Sequence, residues 1–294
     1  MRCPNCAQRH FVIGADQGGK WTILCDQAIH RLKATLHGKV ARFAGAWLEV
    51  VDPQYLLIGF MADAGIIVSL FMTWLTLGKE AMKTLFKRFF LWRVNWKWYL
   101  VAILLMPALR FAAIPLTAWL TGIPADYSHP MIRDVVPLDW PLLALLIPWI
   151  LFEIFTNGEE MGWRGYVLPR LQAKYNALTS TLIIGAIWSV WHLPKFFGTG
   201  SSEGRSFFWF TVFTMSVAVL YTWLYNNTHG SLLLVTLFHA SGNTFGAFLP
   251  AKFAVTGGIL SNLETVFVLI AAVVVTMLAG AERLSRAEEM QIQE

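Results

Sequence analysis

The sequence predicts an all-α, polytopic membrane bundle of about seven to eight helices that encloses an intramembrane polar site. Three observations lead there. Hydrophobic residues make up 56% of the 294 positions and charged residues only 14%, against about 25% charged in a soluble domain. Several apolar runs approach or exceed the roughly 18–20 residues that carry a helix across a bilayer. No stretch alternates with the period of two expected of a barrel strand. The net charge of +5 then reads as membrane topology rather than as affinity for nucleic acid. The three cysteines, Cys3, Cys6 and Cys25, are too few for a disulfide framework.

Residues 1–54 differ from the rest and read as a loosely ordered amino-terminal arm without a spanning run. Cys3-x-x-Cys6, with Cys25 and His30, offers half of a zinc ribbon and lacks the second pair that a ribbon needs. The charged, apolar and cleavage regions of a signal peptide are absent. Met61 could serve as a start, but the apolar run from Tyr55 makes it internal. A membrane domain covers 55–281, with its core motifs in 139–250, and a polar tail closes the chain at 282–294.

Spans are expected near 55–77, 98–120, 139–157, 177–193, 207–225, 231–250 and 257–280, with a further helix at 158–175. From Asp139 to Asn176 is about 56 Å of helix, too long for one crossing. Thr156-Asn157-Gly158 is the natural place for a reversal. Lys79, Lys83, Lys87, Arg88, Arg93 and Lys97 crowd one short loop, which the basic residues assign to the cytoplasm. Alternation from there carries Glu159 toward the cytoplasmic side. Asp63 and Arg110 fall at depths where they could pair, while Glu264 has no evident partner. The 14 tryptophans read as interfacial belt and packing rather than a cofactor box.

The chain is organised around Asn157–Leu171, NGEEMGWRGYVLPRL. Charges in hydrocarbon are expensive and are seldom kept for packing alone. Glu160 and Arg164 stand four residues apart on one helical face, which favours an ion pair. Glu159 points about 100° away and is left to face something else. Both carboxylates sit at a helix N-terminus, where the dipole favours them. Glu153, less than two turns earlier, is placed to support them.

Two further motifs fall at related depths. About 25 Å of helix runs from Glu159 to the turn at Asn176, and about 23 Å returns from Ala177 to His192. Trp188, one turn before His192, walls that side. In Leu237-Phe-His239-Ala-Ser-Gly-Asn243, the histidine and asparagine are at i and i+4 and share a face. Ser241 and Gly242 permit a neighbouring helix to come close.

Together Glu159-Glu160-Met-Gly-Trp-Arg164, Trp188-Ser-Val-Trp-His192 and His239-Ala-Ser-Gly-Asn243 resemble the motifs of the CPBP family of intramembrane proteases. That family includes the CAAX prenyl endopeptidases and bacterial relatives linked to bacteriocin processing and self-immunity. The resemblance covers about 139–250, and it departs at Trp188, where the family often has phenylalanine. It implies hydrolysis of a peptide bond in a membrane-associated peptide or protein substrate, within the lipid bilayer, by an integral protein of a prokaryotic plasma membrane. By analogy, Glu159 and His192 hold and deprotonate a water. His239 and Asn243 stabilise the oxyanion, and Glu160 with Arg164 fix the residues around them. The residue chemistry agrees with these roles.

A metal is the other route to an activated water. Glu159, His192 and His239 are the ligand set if a metal is bound, with Zn2+ as the candidate. No H-E-x-x-H pair supports it, and protein-only activation is preferred. Two non-hydrolytic readings use the same residues: a membrane scaffold or bacteriocin-immunity factor of the same fold, and an ion-coupled transporter. The transporter would require an internal repeat of the motif, and none is found.

Overall fold

A computed structural model of the chain describes residues 11–15, 21–25, 53–128, 130–132, 141–156, 158–194, 196–197, 204–250 and 258–286. The chain divides into two compact units, residues 1–56 with 133–139, and residues 57–132 with 140–294. In the first, β1 (Phe11–Ala15) and β2 (Trp21–Cys25) pair antiparallel, with Phe11 opposite Cys25 and Ala15 opposite Trp21. Val12, Ile13, Thr22 and Ile23 suit a pleated ribbon, a hairpin that a search for barrel-length alternation does not register. Cys3, Cys6 and His30 lie outside the described residues, as do Asn157 and the tail beyond Arg286.

The second unit is helical. After α1 (Pro53–Phe89) come α2 (Trp96–Thr121), α3 (Leu142–Thr156) and a π-helical stretch at Met161–Val167. Then follow α4 (Leu168–Gln172), α5 (Ala177–Trp191), α6 (Phe207–Asn227), α7 (Leu232–Ala247) and α8 (Ile259–Ala279). Among the described residues, α2, α6 and α8 are long and apolar enough to cross a membrane, and α5 is a shorter apolar helix. Polar residues at the loop edges start the helices. Asn95, Asn176, Ser206 and Ser231 each accept a backbone N–H from the first turn that follows, a cap that contributes about 1 kcal/mol.

α1 departs from the sequence reading. Gly78 has φ 81° and breaks the helix, because only glycine enters that conformation without a Cβ penalty. Lys79, Lys83 and Lys87 therefore ride on a helix running to Phe89 rather than in a loop. Their side chains are exposed while Leu85 is buried, the pattern of a helix that packs on the bundle by one face. Leu85 Cδ1 sits only 2.6 Å from where a Cβ on Gly165 would stand.

Hydrogen bonds identify the basic end of the bundle. Arg88 Nη1 donates to the Tyr225 hydroxyl at 2.6 Å, and Ser231 Oγ to the Leu91 carbonyl at 2.7 Å. Gln172 and Asn226 exchange amide bonds, and the Ala177 N–H donates to the Glu282 carbonyl at 2.9 Å. Glu159 precedes Gln172 by 13 residues of helix and His192 follows Ala177 by 15. At about 1.5 Å per residue both lie near 20 Å from that end.

Small residues set the closest packing. A Cβ on Gly185 would stand 2.7 Å from Met215 Cα, so α5 lies almost backbone to backbone on α6, and Thr181 donates to Thr222 across the same seam at 2.7 Å. Ser241 Oγ donates to the Ile103 carbonyl at 2.6 Å, which brings α7 onto α2 at the small residues marked for close approach. Glu264, for which the sequence offers no partner, is held by two arginines: Arg110 Nε donates to Oε1 at 2.7 Å and Arg205 Nη2 to Oε2 at 2.6 Å. Asp63, the partner expected for Arg110, has its side chain outside the described residues.

Candidate active site

The carboxylates stand where the sequence opens a helix. α3 ends at Thr156, Gly158 forms a turn, and Glu159 and Glu160 begin the next helical run. That run then winds as a π-helix, with the Leu168 N–H reaching back to the Trp163 carbonyl, an i→i+5 bond that often marks functional sites. Periodicity alone predicts a plain α-helix here. The Glu160–Arg164 pair forms as expected, Arg164 Nη1 lying 3.0 Å from Oε2 and 3.1 Å from Oε1, with both side chains fully buried.

Around this pair the site has two halves. In one, His239 Nδ1 lies 2.9 Å from Glu160 Oε1, so the carboxylate joins the arginine of its own helix to the histidine of α7. The Arg164 guanidinium rests 4.1 Å from the Tyr221 ring centroid and 5.2 Å from that of Trp188. These aromatic faces help to hold a buried cation. Removing either member of such a buried pair typically costs about 3–5 kcal/mol.

In the other half, Trp188 Nε1–H donates to Glu159 Oε2 at 2.7 Å. The remaining oxygen, Oε1, lies 4.0 Å from His192 Nε2. That gap is too long for a direct hydrogen bond, which needs about 2.7–3.2 Å, and suits a bridging water. His192 Nδ1 lies 2.9 Å from the Trp188 carbonyl. A carbonyl only accepts, so Nδ1 carries the hydrogen and neutral His192 presents a lone pair at Nε2. Glu159 is 8% exposed where Glu160 is fully enclosed, so the first carboxylate has access and the second does not.

Asn243 sits on the same face of α7 as His239, and its Nδ2 donates to Glu153 Oε2 at 3.0 Å. Five of the six residues expected in the site, Glu159, Glu160, Arg164, His192 and His239, are tied into one cluster through these contacts and through Trp188, which packs edge-on to both imidazoles. Asn243 borders that cluster through α7 and pairs with Glu153. The set Glu159, His192 and His239 does not gather into a metal-binding group, and no three His, Cys, Asp or Glu side chains do so among the described residues. His239 is instead directed by one nitrogen to Glu160.

Two contributors escaped the sequence reading. Trp188 was expected as a wall, yet it also donates to Glu159. Tyr221, buried under Arg164 and edge-on to His239 at 5.8 Å, comes from an α6 sequence that looks like an ordinary apolar span. No spacing signal marks it.

Comparison with known proteins bears on the same stretch. Residues 137–245 match the family described as Type II CAAX prenyl endopeptidase Rce1-like. A protein of Methanococcus maripaludis named CAAX prenyl protease 2 is 29% identical to this chain over 211 residues, which cover 67% of this chain and 75% of the relative. All three motifs fall inside the matched residues.

Proposed function

The chain is a member of the CPBP family of intramembrane proteases, and from that premise we propose that it hydrolyses a peptide bond in a membrane-associated protein or peptide, using a water activated by Glu159 and His192. One observation carries the mechanism: Glu159 Oε1 and His192 Nε2 face each other across 4.0 Å, with each residue's other polar atom already bound to Trp188. A water in that gap yields a proton to the pair. Its oxygen then adds to the scissile carbonyl carbon, the C–N bond breaks, and the proton passes to the departing amine. Products are a carboxylate and an amine.

His239 and Asn243 are assigned to the oxyanion. The asparagine amide has a second N–H beyond the one given to Glu153. His239 offers Nε2–H when its ring carries both protons, the Nδ1 hydrogen going to Glu160. Such donors, preorganised away from water, are worth about 3 kcal/mol each in the transition state. Water activation is assigned without a metal because, among the described residues, Glu159, His192 and His239 do not gather into a group able to hold one. Elemental analysis of active protein tests this, and stoichiometric zinc required for turnover would overturn it.

The name of the archaeal relative makes a prenylated peptide ending in a CAAX sequence the first substrate to try, and the prokaryotic plasma membrane the first compartment in which to seek the protein. Purified protein in nanodiscs should release a fragment of that peptide identifiable by mass spectrometry. Glu159→Ala, His192→Ala and His239→Ala should each abolish release without unfolding the protein. Cellular phenotypes that survive all three substitutions would instead assign the fold to a scaffold or immunity factor.

A further inference from the structure

Trp188 touches both members of the pair that it flanks. Its indole Nε1–H donates to Glu159 Oε2 at 2.7 Å, and its backbone carbonyl accepts from His192 Nδ1 at 2.9 Å. One residue thereby fixes one polar atom of each side chain, and the other two, Glu159 Oε1 and His192 Nε2, face each other at 4.0 Å. Local structure explains the second contact. α5 ends at Trp191, and in this last turn the Trp188 carbonyl accepts both the His192 N–H, at 3.3 Å, and its imidazole Nδ1–H.

The indole has little freedom to leave. It is 6% exposed and meets Tyr221, His192 and His239 edge-on at centroid distances of 5.8, 5.8 and 6.0 Å. Arg164 covers it at 5.2 Å. A carboxylate with one oxygen anchored cannot rotate both oxygens toward the histidine or toward solvent. Hydrogen bonds to an ionised acceptor are about twice as strong as neutral ones, which suits the indole to this task. Phenylalanine at the same place would keep the ring and lose the donor.

We propose that Trp188 is a positioning residue, whose side-chain N–H and backbone carbonyl together aim Glu159 and His192 at one shared water. The inference rests on the hydrolytic reading of the site. Its first test is steady-state cleavage of a fluorogenic farnesylated CAAX peptide by protein in nanodiscs. Trp188→Phe should lower kcat by roughly tenfold to a hundredfold and leave KM within about twofold, the signature of an interaction that acts on the chemical step. A kcat within about twofold of the parent, or a loss carried by KM, would reduce Trp188 to a wall and overturn the proposal.

If Trp188→Phe does not fold, site-specific replacement of Trp188 by benzothienylalanine removes the N–H from a ring of nearly the same shape, with the same outcomes decisive. A second readout needs no turnover. Ultraviolet resonance Raman reports indole N–H hydrogen bonding, so the spectrum of the parent minus Glu159→Ala should show one strongly bonded indole lost. That difference should vanish when both proteins carry Trp188 replaced by the N–H-free analogue. Failure of the parent to cleave the peptide would count against the hydrolytic reading, whereas a flat Raman difference would count against Trp188.

Discussion

Two buried glutamates in this protein are treated in opposite ways. Glu264 has each carboxylate oxygen taken by an arginine, Arg110 at 2.7 Å and Arg205 at 2.6 Å, and is 1% exposed. Glu159 has one oxygen on an indole N–H and the other 4.0 Å from an imidazole, and is 8% exposed. The first is saturated and joins α2, α8 and the segment leading into α6. The second meets an indole and, across a gap that suits one small polar molecule, an imidazole. A buried carboxylate clamped by two arginines has little to offer a substrate, whereas one set beside a neutral base at the edge of accessibility is placed for chemistry.

The sharpest way to break the contrast is to remove each carboxylate and measure both turnover and melting. Glu159→Gln and His192→Ala should lower kcat by about 10²–10⁴, the span of general acid–base catalysis, with melting temperature unchanged. Asn243→Ala comes next, with about 10²–10³ lost from kcat if it serves the oxyanion, measured on the same peptide. Glu264→Gln should do the reverse. It leaves two buried arginines without their anion and should destabilise the fold by about 3–5 kcal/mol, read as a lower denaturation midpoint, while kcat per folded molecule is retained. The smallest effect is expected at a site with no charge at all: Gly185→Ala forces a methyl toward the Met215 backbone and should cost about 1–3 kcal/mol, again by denaturation. A Glu264 variant that kept its stability and lost kcat would erase the distinction.

What could be read in advance divides by the range of the interaction. The Glu160–Arg164 pair follows from a four-residue spacing on one helix. The return of His192 to the depth of Glu159 follows from counting residues down one helix and up the next. Partners drawn from distant parts of the chain were not accessible in this way. Glu264 finds Arg110 and Arg205 across separations of 154 and 59 residues, and His239 finds Glu160 across 79. The role of the Trp188 indole was hidden for a different reason, since one aromatic ring in an apolar helix looks like any other until its N–H has a direction. The basic stretch was expected as a loop, whereas beyond the break at Gly78 the chain resumes as helix to Phe89. The family resemblance identified the motif residues, Trp188 among them as a wall, but left Tyr221 without a part to play.

The seating of Leu85 on Gly165 has a mechanical consequence. Leu85 is the buried residue of the basic helical stretch, and Gly165 follows directly on Arg164. The lysine-bearing helix and the arginine–glutamate turn thereby meet through one methyl group, with no polar contact needed. A side chain added at position 165 would have to push that methyl aside, and the basic helix would feel a change made one residue from the buried ion pair.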